Sequence, residues 1–98
     1  MFVAMSRFRV RSGQEEMVRE AFGRRPQRVD GYPGFVRMEV LSPKDQENEF
    51  WLITVWEDRD SFETWHRHHL NESHSEMPRG LKVERGSREL QYFELVTE

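Results

Sequence analysis

Apolar positions along this chain switch repeatedly between a two-residue and a helical period. Residues 2 to 10, FVAMSRFRV, place Phe2, Ala4, Ser6, Phe8 and Val10 on one face and Val3, Met5, Arg7 and Arg9 on the other, which predicts a first strand. The spacing then lengthens. Met17, Val18, Ala21, Phe22, Arg25 and Val29 recur at three- and four-residue steps behind a Ser12-x-x-Glu15 capping-box spacing, which predicts a helix over about 13 to 30, with Pro26 expected to kink it or end it early. The cluster DGYPGF breaks the pattern, and FVRMEVL at 35 to 41 reads as a second strand. A polar loop, SPKDQENE, leads to FWLITVWE at 50 to 57, the densest β-branched and aromatic run of the chain. Asp58 or Asp60 is placed to cap a second helix, in which Phe62, Trp65, His66, His69 and Leu70 fall within an arc of about 140° at the helical 100° per residue. Residues 71 to 87, punctuated by Pro78, Gly80 and Gly86, predict no regular element, and RELQYFELV at 88 to 96 reads as a last strand.

The order β-α-β-β-α-β predicts an α+β, ferredoxin-like fold over residues 1–98 as one domain: a four-stranded antiparallel sheet with both helices on one face. Two helices cover one face only. Strand three nevertheless carries Phe50, Leu52 and Trp56 on one side and Trp51, Ile53 and Val55 on the other. Apolar burial is worth roughly 25 cal/mol per Å², so a wet patch of that kind predicts a homodimer through the bare sheet face.

Composition narrows the function. The chain is 36% hydrophobic and 34% charged, and its 15 basic residues are mixed among 18 acidic ones for a net charge of −3. No basic footprint for nucleic acid or an anionic membrane emerges. With no cysteine, disulfides, thiolate ligands and cysteine nucleophiles are excluded together. No run has the length of a membrane span or the apolar core of a signal peptide, so the cytoplasm is the expected compartment. The motifs G-x-G-x-x-G, the P-loop, H-E-x-x-H and G-x-S-x-G are all missing, which removes support for NAD or flavin dinucleotide binding, metalloprotease and hydrolase chemistry.

All four histidines lie within FETWHRHHLNESH, residues 62 to 74. Helical spacing turns Phe62, Trp65 and His69 inward, puts His68 beside the stripe and His66 near its edge, and leaves His74 beyond the helix end. A structural zinc site wants three or four converging ligands and is not expected. Heme asks less: one neutral imidazole and an apolar wall of the kind Phe62 and Trp65 could supply, with His69 as a further contact. For Phe62, Trp65 and Leu70 the plainer role is core packing, and for Arg24, Arg25 and Arg28 a solvated helix face.

The segments MFVAMSRFRV, GYPGF, FWLITVWEDRDSFETW and LQYFELV together resemble the antibiotic biosynthesis monooxygenase superfamily across nearly the whole chain, and within it the IsdG-like heme-degrading branch. The resemblance implies a dimeric α/β barrel and a heme that is both cofactor and substrate, oxidised with electrons from an external reductant. It also implies site roles. Trp65 matches the branch's helix-two tryptophan, and His74, nine residues on, matches its axial iron ligand, with His69 as the other candidate. Ser6 stands where the branch has asparagine and can donate one hydrogen bond, without the amide's reach. Arg25, in an F-x-x-R arrangement with Phe22, resembles the position from which relatives approach heme propionates. Three functions follow as expectations: a heme-degrading monooxygenase that opens the porphyrin and releases iron; a cofactor-independent monooxygenase acting on a quinol or polyketide-like aromatic; and a non-catalytic ligand-sensing dimer.

Overall fold

The structure, a computed structural model, describes residues 1–23, 31–69 and 81–98. Its elements run β1 (Phe2–Arg9), α1 (Glu15–Gly23), β2 (Phe35–Leu41), β3 (Glu49–Trp56), α2 (Arg59–His69) and β4 (Glu89–Glu94). The strands form one antiparallel sheet in the order β2-β3-β1-β4, so β1 and β3 hold its centre. This is the ferredoxin-like arrangement that the alternating periods predict.

The alternation of β1 also assigns its faces as expected. Ala4 joins Trp56 of β3 and Phe62 of α2 in one buried cluster, to which Phe2, Tyr32, Phe35, Met38 and Trp65 add. Val10, Val18 of α1 and Phe50 of β3 form a second cluster with Phe8, Phe22, Val40 and Leu81. Side chains such as Val18 and Phe50 stabilise the fold by roughly 1.5–3 kcal/mol each when fully buried. Each helix therefore has its own core: α2 sits over one end of the sheet and α1 over the other.

The element ends have local causes. Asp58, not Asp60, caps α2: its Oδ1 accepts the Ser61 N–H at 2.8 Å, and that bond holds the Asp58 carboxyl below its ordinary value of 3.8. At α1 the expected Ser12–Glu15 capping box does not form, because the helix starts only at Glu15. The Gly13 N–H donates to Glu15 Oε2 at 2.8 Å, but the Ser12 hydroxyl makes no bond among the described residues. Glu15 and Glu16 in the first turn suit the helix dipole. The helix is described to Gly23, so the expected continuation to 30 and the Pro26 kink lie outside the described residues. The same holds for Leu70. Gly34 has φ +83°, and its carbonyl accepts the Glu57 N–H at 2.7 Å where β2 meets the end of β3.

One expectation about 71 to 87 is corrected where the chain is described. Residues 81–88 are not simply loop: Val83 bridges Val10, the Arg11 N–H donates to the Lys82 carbonyl at 2.8 Å, and the Arg9 N–H donates to Ser87 Oγ at 3.0 Å. This short extended piece carries the pairing of β1 past its end. Its apolar signal is only Leu81 and Val83 ahead of a polar, glycine-containing run, too short for a period to register.

On the face away from the helices, Met5 and Val55 are 4% and 2% exposed. Long charged side chains share that face. Arg7 lies over the Trp51 ring and pairs with Glu89, while Arg37 pairs with Glu39 at 3.4 Å. Leu41 and Phe93 remain 46% and 44% exposed there. The bare face is thus less greasy than the strand sequences suggest, with a buried centre and apolar residues exposed towards its edges.

Candidate functional site

Strand register lines residues up in rows across the sheet. On the helix side one row runs Met38, Thr54, Ala4, Tyr92 and the next runs Val40, Leu52, Ser6, Leu90. The first row lies in the core under α2, apart from Tyr92 at the sheet edge. In the second, Val40 packs with the α1 cluster, but Leu52, Ser6 and Leu90 belong to neither core cluster. Strands are about 4.8 Å apart, so this row extends roughly 14 Å across the sheet. The helix-side cores of α1 and α2 therefore leave a lane between them whose floor is flat and apolar, with one hydroxyl near its middle.

That hydroxyl is Ser6 Oγ. Among the described residues it has no hydrogen-bond partner. The nearest other hydroxyl in the floor, that of Thr54, is buried and lies 3.5 Å from the Ala4 carbonyl. Ser6 is half-buried and has Leu52 and Leu90 as cross-strand neighbours, so it is positioned to donate one bond into the lane.

On one side of the lane stands the aromatic system of α2. Trp65 is half-buried, with its ring 5.5 Å from Trp56 and 6.2 Å from Phe62. Phe62, expected as a ligand-contacting wall, is instead a core side chain: 3% exposed and ringed by Phe2, Trp56, Trp65, His66 and Tyr92. It backs Trp65 and has no open face of its own. Trp56 is fully buried, and its indole N–H finds no hydrogen-bond partner among the described residues. On the other side, Phe22 of α1 is half-buried and packs 6.3 Å from Phe50.

The histidines divide. His66 stacks on Phe62 with centroids 5.3 Å apart and 18° between planes, and His68 is exposed with its ring edge towards Tyr32. His69 ends α2, and its side chain lies outside the described set, as do Arg25 and His74 altogether. Among the described residues no three His, Asp or Glu side chains come together as metal ligands. Two depressions of about 430 and 470 Å³ lie away from the lane. The first is beside the start of α2, where Arg59 is held by Glu63 at 2.9 Å and by the Tyr92 ring. The second is at the far end of β1, where Arg9 is shared by Glu49 and Glu84. In both, arginines on the rim are paired with nearby acids: Arg59 in the first, Arg7 and Arg9 in the second.

Of the expected residues, the structure places Ser6 on the helix-side face of β1 between the two cores, Trp65 against the α2 cluster, Phe22 against the α1 cluster, and Phe62 inside the core. Leu52 and Leu90 were missed. Their parity is readable in the sequence, but their position beside Ser6 depends on register, which the separate strand patterns do not specify.

The fold is that of a small α+β domain of the ferredoxin-like class. The chain belongs to the antibiotic biosynthesis monooxygenase family, whose model matches residues 1–76. A heme oxygenase (mycobilin-producing) from Mycobacterium tuberculosis is 27% identical over 63 residues, covering 64% of this chain and 60% of that protein, so the chain matches well under two thirds of this relative's length. In overall structure it is similar to MhuD, a heme-degrader from Mycobacterium tuberculosis with two hemes bound in its active site. The TM-score is 0.82 at 22% identity, covering 100% of this chain and 98% of that one. It is also similar to SnoaB, a cofactor-independent oxygenase from Streptomyces nogalater, with TM-score 0.70, 26% identity and coverage of 95% and 90%. No helix among the described residues is long and apolar enough to cross a membrane.

Proposed function

We propose that the protein is a heme-degrading monooxygenase in which residues 1–98 work as one unit. The observation that carries this reading is the row Leu52, Ser6, Leu90, which among the described residues belongs to neither of the two helix-side cores. It offers a flat apolar seat broad enough for a macrocycle, with one free hydroxyl aimed into it. The heme oxygenase relative supports the choice of ligand. Heme, as substrate and cofactor, supplies the redox chemistry when an external reductant delivers electrons.

The chain's own residues then have distinct tasks. Trp65, held from behind by Phe62 and Trp56, forms a stiff wall that presses on the macrocycle. Ser6 donates a hydrogen bond on the side of the ligand facing the sheet. Phe22 closes the opposite flank, and Arg25 pairs with a propionate. His74, or His69 in its place, would hold the heme iron. Two copies pair through the face that exposes Leu41 and Phe93.

A second reading is supported by the likeness to SnoaB and by Ser6 standing where the heme-degrading branch has asparagine: a cofactor-independent oxygenase of a quinol or polyketide-like aromatic in the same lane. Hemin titration followed by absorbance separates the two. The first reading expects a stoichiometric Soret shift, abolished in His74→Ala, and bleaching on addition of ascorbate. Absence of hemin binding together with turnover of an aromatic quinol establishes the second. Binding without bleaching, in the presence of reductant, leaves a ligand sensor.

A further inference from the structure

The lane is asymmetric across the sheet. At its β2 end Val40 is packed against the Val10, Val18 and Phe50 cluster, and Leu52 and Ser6 are half-buried. At its β4 end Leu90 is 47% exposed, and Tyr92 in the neighbouring row is 41% exposed. Every residue of β4 is exposed: α2 packs chiefly on β1 and β3 and touches the edge strand through Phe62 and Arg59 against Tyr92, two residues beyond Leu90. Among the described residues, one end of the lane is packed and the other is exposed.

From this we infer that Leu90 is a specificity-determining residue, the sill of a mouth over β4 through which a large flat ligand enters edge-on. The inference rests on the reading of the lane as the ligand site and commits to the heme macrocycle as its occupant. A ligand entering this way sends its apolar edge towards Leu52 and Val40, where only hydrocarbon meets it. Its charged substituents stay at the β4 end, because moving them to the closed end would bury them without partners. Passing Leu90 also brings the ligand over Ser6, the next residue of the row, so the sill and the hydroxyl act on the same molecule. Bulk at position 90 stands in the path of a broad macrocycle while leaving a single-ring compound room to pass.

The neighbours of the sill fit that role. Glu89 and Gln91 flank Leu90 in sequence but alternate to the opposite face, where Glu89 pairs with Arg7. No acidic side chain of β4 therefore projects beside Leu90 on the helix side, and the carboxylates of an entering macrocycle meet no like charge at the sill. Glu94, on the helix side, lies four residues away at the other end of the strand.

The test compares Leu90→Trp with Val36→Trp, both at exposed positions. Val36 is 37% exposed on the β2 edge, at the opposite side of the sheet. Neither position is in a core cluster, and circular dichroism and thermal melts establish that both variants fold. Binding of hemin is measured by absorbance titration alongside a tricyclic quinol and a single-ring quinol. Leu90→Trp is expected to weaken hemin binding by about tenfold or more while sparing the single-ring compound, and Val36→Trp to leave hemin unchanged. If wild type binds hemin and Leu90→Trp binds it equally well, the sill is wrong although the function stands. Equal weakening in both tryptophan variants also overturns it, since the effect then has no connection with the mouth. Failure of wild type to bind hemin removes the heme reading and this occupant together.

Discussion

Gly34 is where the entry to β2 runs against the start of α2, and replacing it tests how α2 is held over the sheet. Its φ of +83° is in the left-handed region, which costs a residue with a Cβ about 1–2 kcal/mol. A Cβ built there also collides with the Oγ and Cβ of Ser61 in the first turn of α2. Ser61 cannot simply swing aside: its N–H is fixed to Asp58, and a Cβ moves only with the backbone. Overpacking of this kind costs about 1–3 kcal/mol, so Gly34→Ala is expected to lose about 2–5 kcal/mol in urea denaturation. The two parts separate in a double-mutant cycle. Ser61→Gly removes both colliding atoms, so in its background the loss from Gly34→Ala should fall to the conformational part alone, leaving a coupling of about 1–3 kcal/mol. Additive losses would refute the steric contact. A loss below about 1 kcal/mol in the single variant would refute the strain argument as well.

The split helix-side core makes the second test. Val18 is fully buried and anchors α1 beside Phe50, so Val18→Ala should cost about 2 kcal/mol by chemical denaturation, and a loss near zero would mean that α1 is not held there. Asp58→Asn should lower the melting temperature at neutral pH and leave it little changed in acid. The folded-state carboxyl titrates below 3.8, so its contribution is present above that value and is lost as pH falls through the lower folded-state value. A melting difference that does not shrink on acidification counts against the cap. Trp65→Phe keeps an aromatic wall of smaller reach, and is expected to bind hemin nearly as wild type while slowing reductant-driven bleaching; unchanged bleaching removes the wall from the mechanism.

Much of the fold was legible in the order of residues. Two-residue alternation in FVAMSRFRV assigned both faces of β1, the aromatic run at 50 to 56 marked the central partner strand, and the stripe Phe62, Trp65 and His66 marked the buried side of α2. These are local signals, set by the geometry of a single strand or helix, and tertiary packing had no reason to override them. The residues of the lane were legible only in part. Ser6 stood out as a polar residue on an apolar face, and Trp65 by its spacing. That Phe62 is enclosed while Trp65 lies at the border, that Asp58 and not Asp60 caps α2, and that Val83 extends the pairing of β1 all depend on what packs against what.

The sequence alone determined which side of each element is apolar, and hence a four-stranded sheet with helices on one face, because burial follows the period of the backbone. Only the tertiary structure decided that Leu52, Ser6 and Leu90 stand side by side and, among the described residues, outside both helix-side cores. A row across a sheet is built from residues 38 and more positions apart in the chain, and its membership is set by strand register and by how far the two helix-side cores reach.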